Sequence, residues 1–175
     1  METVVIGALL LLASTACADP FPTTYDPAIR DAWEIYHPGD DWKWWKAQLW
    51  QESRLDPNAV SPAGATGIAQ FMRGTAAQYG LVDRRMAEPS ILAGARMMRD
   101  GMKFWKAPRT HLSRRRLAQA GYNCGHGNLV RAQKLCRGAM EYEPLMDCLP
   151  NITGRFAAET LGYAPRIEKH FLRMQ

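Results

Sequence analysis

The arrangement richest in chemistry is a carboxyl group near the end of a helix, followed by a loop of small residues. The stretch Trp50–Met72 reads WQESRLDPNAVSPAGATGIAQFM. Glu52 falls at the C-terminal end of a helical stripe made by Trp42, Trp45, Leu49 and Ser53. The negative end of the helix dipole and partial desolvation both favour the protonated form of a carboxyl group there. A glutamate so held can donate a proton near neutral pH. Taken alone, the position also suits an ordinary solvated glutamate. The loop strengthens the case, because Gly64, Ala65 and Gly67 lack bulky side chains and let backbone amides approach a ligand. Gln70 adds an amide able to donate to and accept from an acetamido group. No GKS or GKT follows, so a phosphate cradle is unsupported.

Glycoside hydrolysis of the common kind needs two carboxyl groups about 5–9.5 Å apart. Asp56 is close in sequence, but Asp56-Pro57 reads more simply as a helix exit. Glu159 is a second candidate, equally suited to fixing Tyr163 or a backbone amide, and the fold could also bring in Asp40 or Asp41. No clear partner for Glu52 emerges, which favours intramolecular attack over hydrolysis.

Four short motifs follow one another in order. They are Glu52-Ser53; Ser61 with Gly64, Ala65 and Gly67-Ile68-Ala69-Gln70; Gly121-Tyr122-Asn123; and Glu159-Thr160 with Tyr163 and Ile167. Together they resemble the catalytic domain of the soluble lytic transglycosylases, over roughly residues 42–170. The departures are Ala69 for a methionine, Gly121 for an alanine and Arg73 for a proline, and none removes a polar group that the chemistry needs. The resemblance implies a lysozyme-like fold and cleavage of the bond between N-acetylmuramic acid and N-acetylglucosamine in peptidoglycan strands. Glu52 would protonate the glycosidic oxygen and then accept the proton of the muramic C6 hydroxyl, which closes on C1 as a 1,6-anhydro ring. Ser53, Ser61 and Gln70 would position the acid or the sugar, Tyr122 and Asn123 would line the cleft, and Tyr163 would stand near Glu52. No cofactor or metal enters such a reaction. A muramidase hydrolase of the same fold and a non-catalytic wall-binding module are the competing readings.

From Trp42 onward the periodicity is helical over 42–53, 74–80, 88–105, 114–122, 127–137 and 153–173, with Pro165 marking a break or a new first turn. No stretch alternates with period two, so a mostly α single domain over 42–175 with little or no sheet is expected. Residues 19–41, rich in proline, read as an extended arm that could hold a short helix over Asp26–Tyr36. Trp42 and Trp45 read as core, whereas Trp44 and Trp50 stay open as sugar-stacking residues. Met97, Met98 and Met102 have core spacing.

The 175 residues include 22 Lys and Arg against 17 Asp and Glu, a formal charge of +5, with 47% hydrophobic residues. These proportions exclude a largely disordered chain, and no apolar run is long enough for an integral membrane span. The basic balance suits an anionic partner, under the resemblance the bacterial wall. Nucleic acid is not called for, because Arg114-Arg115-Arg116 is an isolated triplet that reads as a solvated face.

Residues 1–18 read as a signal peptide, with an apolar run from Val4 to Leu12 and a small-residue site at Ala16-Cys17-Ala18, although no Lys or Arg precedes the run. Export to the periplasm or the exterior follows, for a chain expected to be monomeric. The alternatives are a lipid anchor at Cys17 and a phage origin. Cleavage after Ala18 would leave Cys124, Cys136 and Cys148. A helix over 127–137 would hold Cys124 and Cys136 about 18 Å apart. A disulfide needs its Cα atoms within about 7 Å, so Cys136–Cys148 is the expected pair.

Overall fold

The computed structural model describes residues 21–175, and the signal-peptide reading of residues 1–18, with Cys17, lies outside them. Nine α-helices occur among the described residues. They are α1 (Asp26–Tyr36), α2 (Lys43–Ser53), α3 (Arg73–Gln78), α4 (Ala87–Phe104), α5 (His111–Cys124), α6 (His126–Leu135), α7 (Tyr142–Met146), α8 (Pro150–Thr153) and α9 (Ala157–Arg173). A 3-10 turn, Gly154–Phe156, joins α8 to α9. Extended pairing is limited to two single bridges, Val60 with Thr66 and Thr66 with Phe71. The mostly α architecture is as expected.

Within residues 19–41, the short helix expected over Asp26–Tyr36 is observed as α1. Pro27 occupies the first turn of α1, where its missing N–H costs nothing. Ile29, Ala32 and Trp33 then form one apolar face, which is buried against α4. Trp33 stacks on His37 at 3.7 Å and on Trp45 at 6.2 Å. Two ion pairs fasten the same segment: Lys46 to Asp26 at 2.7 Å, and Arg115 to Asp40 at 2.6 Å. Pro27 thus marks the start of a helix that belongs to the core.

α5 is the centre of the domain, packed against α4, α6 and α9. Its run Leu117–Gly121 is buried, and small residues (Ala118, Ala120, Gly121) let its neighbours come close. A Cβ on Gly121 would stand 2.2 Å from the imidazole of His126, so the departure from alanine here accommodates that ring. On the other flank α2 lies along α9, with Ala47, Tyr163 and Ile167 buried between them. α9 runs through Pro165 without ending, because Tyr163, Ala164 and Ile167 on either side of it are buried. Interior proline costs a helix about 3 kcal/mol, and burying a large apolar side chain returns about 1.5–3 kcal/mol.

The arginine triplet is not a solvated face. Arg115 is buried against Asp40 and the Trp44 ring, and Arg116 bridges Glu143 and Glu168. Cys136 and Cys148 are joined in a disulfide with Cα atoms 5.8 Å apart, and Cys124 is free. No helix among the described residues is long and apolar enough to cross a membrane.

Candidate active site

The end of α2 is built to present one side chain. The helix stops at Ser53, directly after Glu52, because Arg54 and Leu55 both take left-handed backbone conformations, with φ of 60° and 63°. Such conformations are unfavourable for residues with a Cβ and persist where packing enforces them. Burial of Leu55 and the stacking of Arg54 on Trp50 at 4.9 Å supply that packing. The Ser53 hydroxyl donates to the Ile68 carbonyl at 2.8 Å, tying the helix end to the loop beyond it.

That loop is fixed by its own polar groups. Ser61 Oγ accepts from the Ala65 amide at 3.0 Å, and the Gln70 Nε2 donates to the carbonyls of Ala59 and Gly67. Gly67 has φ of 86°, and a Cβ there would lie 1.8 Å from the Arg84 carbonyl oxygen. Arg84 also clamps the loop by donating to the carbonyls of Gly64 and Phe71, each at 2.9 Å.

Between this loop, the end of α5 and the start of α9 lies a cleft of about 700 Å³. Glu52, Ser61, Gln70, Tyr122, Asn123 and Tyr163 all line it. Ser53 does not, since its hydroxyl is spent on the loop carbonyl. Ser53 is thus placed to hold the loop against the helix end that carries Glu52. Trp44 and Trp50 are also absent from the cleft wall. Trp44 stacks on Phe171 at 3.9 Å, and Trp50 meets Phe21 edge-on at 5.1 Å.

Glu52 is partly exposed to the cleft and otherwise enclosed by protein. Desolvation pushes its carboxyl up to about 7, the hydroxyl donated by Tyr163 opposes that rise, and the charge of Glu159 adds to it. Burial first, and the Glu52 charge second, hold the Tyr163 and Tyr122 phenols well above their ordinary range, so both remain donors. Tyr122 donates to the Ala69 carbonyl at 2.7 Å and packs edge-on against Trp45. Asn123 is held from two sides, donating to Glu159 at 3.0 Å and accepting from Thr160 Oγ1 at 2.6 Å. This cleft can deliver a proton from Glu52 to a bound oxygen and take one back.

The other carboxylates separate clearly. Asp40 pairs with Arg115, Asp41 accepts from the Lys43 amide, and Asp56 accepts from the Asn58 amide. Glu159 alone among these candidates lines the cleft with Glu52. Sequence reasoning missed Met72, Ile152, Thr153 and Phe156 on the wall. Met72 and Phe156 are exposed apolar side chains, Met72 in irregular backbone and Phe156 at the end of a three-residue 3-10 turn too short to set a period. The side chain of Ala69 is fully buried below the cleft.

The sequence model for the Transglycosylase SLT domain matches residues 34–143. Membrane-bound lytic murein transglycosylase F from Klebsiella pneumoniae is 37% identical over 113 residues, covering 63% of this chain and 22% of that protein. The protein of the same name from Cronobacter sakazakii is 37% identical over 111 residues, 62% of this chain and 21% of the relative. The chain thus spans about a fifth of the length of these relatives. Among solved structures, the 70 kDa soluble lytic transglycosylase of Escherichia coli superposes with a TM-score of 0.64 at 21% identity, over 87% of this chain and 24% of that one. An inactive mutant of lytic transglycosylase Slt from Pseudomonas aeruginosa gives 0.65 at 22% identity, over 86% of this chain and 24% of that one. The two structures share its fold. With more than half of its length matched and the helix-end glutamate facing a cleft, the chain belongs to the transglycosylase SLT domain family.

Proposed function

We propose that the chain is a peptidoglycan lytic transglycosylase that cleaves between N-acetylmuramic acid and N-acetylglucosamine with one catalytic carboxyl, Glu52. The observation that carries this reading is the Glu52 carboxyl in the cleft, raised to about 7 and held by the Tyr163 hydroxyl. A carboxyl with that affinity for its proton is available both as acid and as base near neutral pH. In the reaction, Glu52 gives its proton to the glycosidic oxygen as the C1–O bond breaks. The resulting carboxylate removes the C6 hydroxyl proton, and O6 bonds to C1. The carboxyl is restored and no water is consumed.

Tyr163 orients Glu52, and Tyr122 and Asn123 shape the wall beside it. Ser61 and Gln70 keep the loop in place, and the Gln70 carbonyl oxygen remains for a sugar amide. Ser53 holds the loop against the helix end. Met72 and Phe156 give the apolar contact that sugar ring faces favour. The chain acts outside the cytoplasm, in the periplasm or beyond it, as a monomer released by removal of residues 1–18. A lipid anchor at Cys17 is the alternative form.

A second reading is hydrolysis in which Glu159 activates a water, and the specific observation in its favour is that Glu159 shares the cleft with Glu52. Its bond to Asn123 supports a structural role instead. The assignment of Glu52 is tested by comparing wild type and Glu52→Gln on purified peptidoglycan at equal concentration. Loss of more than about 1000-fold in rate is expected for removal of the proton donor of a transition state. Equal lysis by both would remove Glu52 from the chemistry.

A further inference from the structure

A second cavity, of about 460 Å³, opens between the end of α1, the last turn of α4 and the start of α5. Its apolar part comes from Tyr36, Met102 and the ring of His37, and its charged part from Arg99, Lys103, Lys106 and Arg114. No Asp or Glu lines it. Arg99 is offset by Asp100 at 2.6 Å, but Lys103, Lys106 and Arg114 form no ion pair among the described residues. Arg114 Nε is shut off from solvent and meets no acceptor there.

The start of α5 is met by the Glu141 carboxylate, which accepts from the Thr110 amide and hydroxyl, whereas Arg114, in the first turn beyond it, pairs with no carboxylate. Lys103 complements the negative end of α4, but Lys106 lies beyond that helix and has no such role. Of the arginine triplet, Arg115 and Arg116 are consumed by internal carboxylates, and Arg114 is left facing this cavity without one.

We infer that this pocket is a binding site for a short acidic peptide, the stem peptide carried by the wall polymer. The identification of the polymer rests on the proposed function, whereas the ligand class rests on the pocket. The volume lies in the range of sites that enclose a multi-atom organic ligand, so a lone anion would leave most of it unfilled. Its lining combines four basic side chains with the apolar surface of Tyr36 and Met102, which suits a chain with several carboxylates and short aliphatic parts. Eight residues of α5 separate Arg114 from Tyr122 in the cleft wall, about 12 Å along the helix. One rigid element therefore joins the peptide site to the glycan cleft.

The test is calorimetric titration of the full chain at low ionic strength with free L-alanyl-γ-D-glutamyl-diaminopimelate, and separately with inorganic phosphate. Lys103→Glu/Lys106→Glu changes two exposed side chains, and Arg114→Gln provides a second, milder variant. Saturable peptide binding is expected, weakened about tenfold or more in either variant, the size of one lost charged hydrogen bond. On intact peptidoglycan the variants should raise KM, and on glycan strands stripped of peptide they should match wild type. Absence of peptide binding, equal binding by the variants, or binding of phosphate alone would overturn the proposal. Peptide binding by a chain that cleaves neither polymer would uphold the pocket and refute the catalytic reading.

Discussion

Glu52 is under two opposed requirements, since the enclosure that readies it to give a proton also makes its ionised form expensive to bury. Its folded pKa of about 7 lies above the ordinary value of 4.5. Between those values the folded state holds a proton that the unfolded chain has released, so stability falls as pH rises through that window. Below about pH 4.5 the penalty is absent, and above about pH 7 it reaches up to about 3 kcal/mol. Glu52→Gln keeps the shape and loses the charge. Its Tm should exceed that of wild type at about pH 8 and equal it at about pH 4, read by scanning calorimetry. An unchanged difference across that range would mean that Glu52 is not desolvated. Tyr163→Phe removes the one bond that lowers the Glu52 pKa, so the alkaline limb of the activity profile should move upward. A downward move in kcat/KM against pH would contradict that geometry. Glu52 was legible in the sequence because helix periodicity and the small-residue loop both point to it. Met72 and Phe156 were not, because an irregular segment and a three-residue 3-10 turn carry no period long enough to show which side chains reach the cleft.

The loop from Ala59 to Phe71 and the helices that hold it are specified by close contacts more than by propensity. Gly64 and Gly67 both have positive φ, but only Gly67 abuts the Arg84 carbonyl. Gly64→Ala should cost about 1 kcal/mol, the backbone penalty alone. Gly67→Ala should cost about 3 kcal/mol or more, because the loop must move. Urea unfolding of both variants checks the contrast, and equal values would show that Arg84 yields freely. In the same way Gly121→Ala should be destabilising by itself and recover when His126 is also replaced by Ala, since the imidazole occupies the space of the new methyl group. A double-mutant cycle without coupling would refute that reading. These contacts explain why part of the fold escaped the sequence. Helices α2, α4, α5 and α6 carry long apolar stripes and were expected close to their observed bounds. α7, five residues long, has too few positions to declare a period. The continuation of α9 through Pro165 was hidden because burial against α2, set by the tertiary fold, outweighs the local preference.

Seen as one molecule, the chain puts the Glu52 cleft at one end of α5 and a cationic pocket at the other, while Lys46, Arg115 and Arg116 pair with carboxylates inside the body. The formal +5 is therefore not an even coat of charge, which composition could not reveal. Residues 26–40 belong to that same body, since Lys46–Asp26 and Arg115–Asp40 fasten the two ends of that segment to it. The disulfide from Cys136 to Cys148 closes a short loop beside α7 and α8, the latter leading to the Phe156 side of the cleft. Cys136→Ser/Cys148→Ser should lower unfolding free energy by about 3 kcal/mol, measured in urea against the oxidised protein. The central question for the whole assembly is what it does to a glycan strand. Purified peptidoglycan digested by the wild-type chain, with the released muropeptides weighed by mass spectrometry, answers it. Muramic ends lighter by one water, as the 1,6-anhydro form, are expected, and products bearing only reducing ends would show hydrolysis instead.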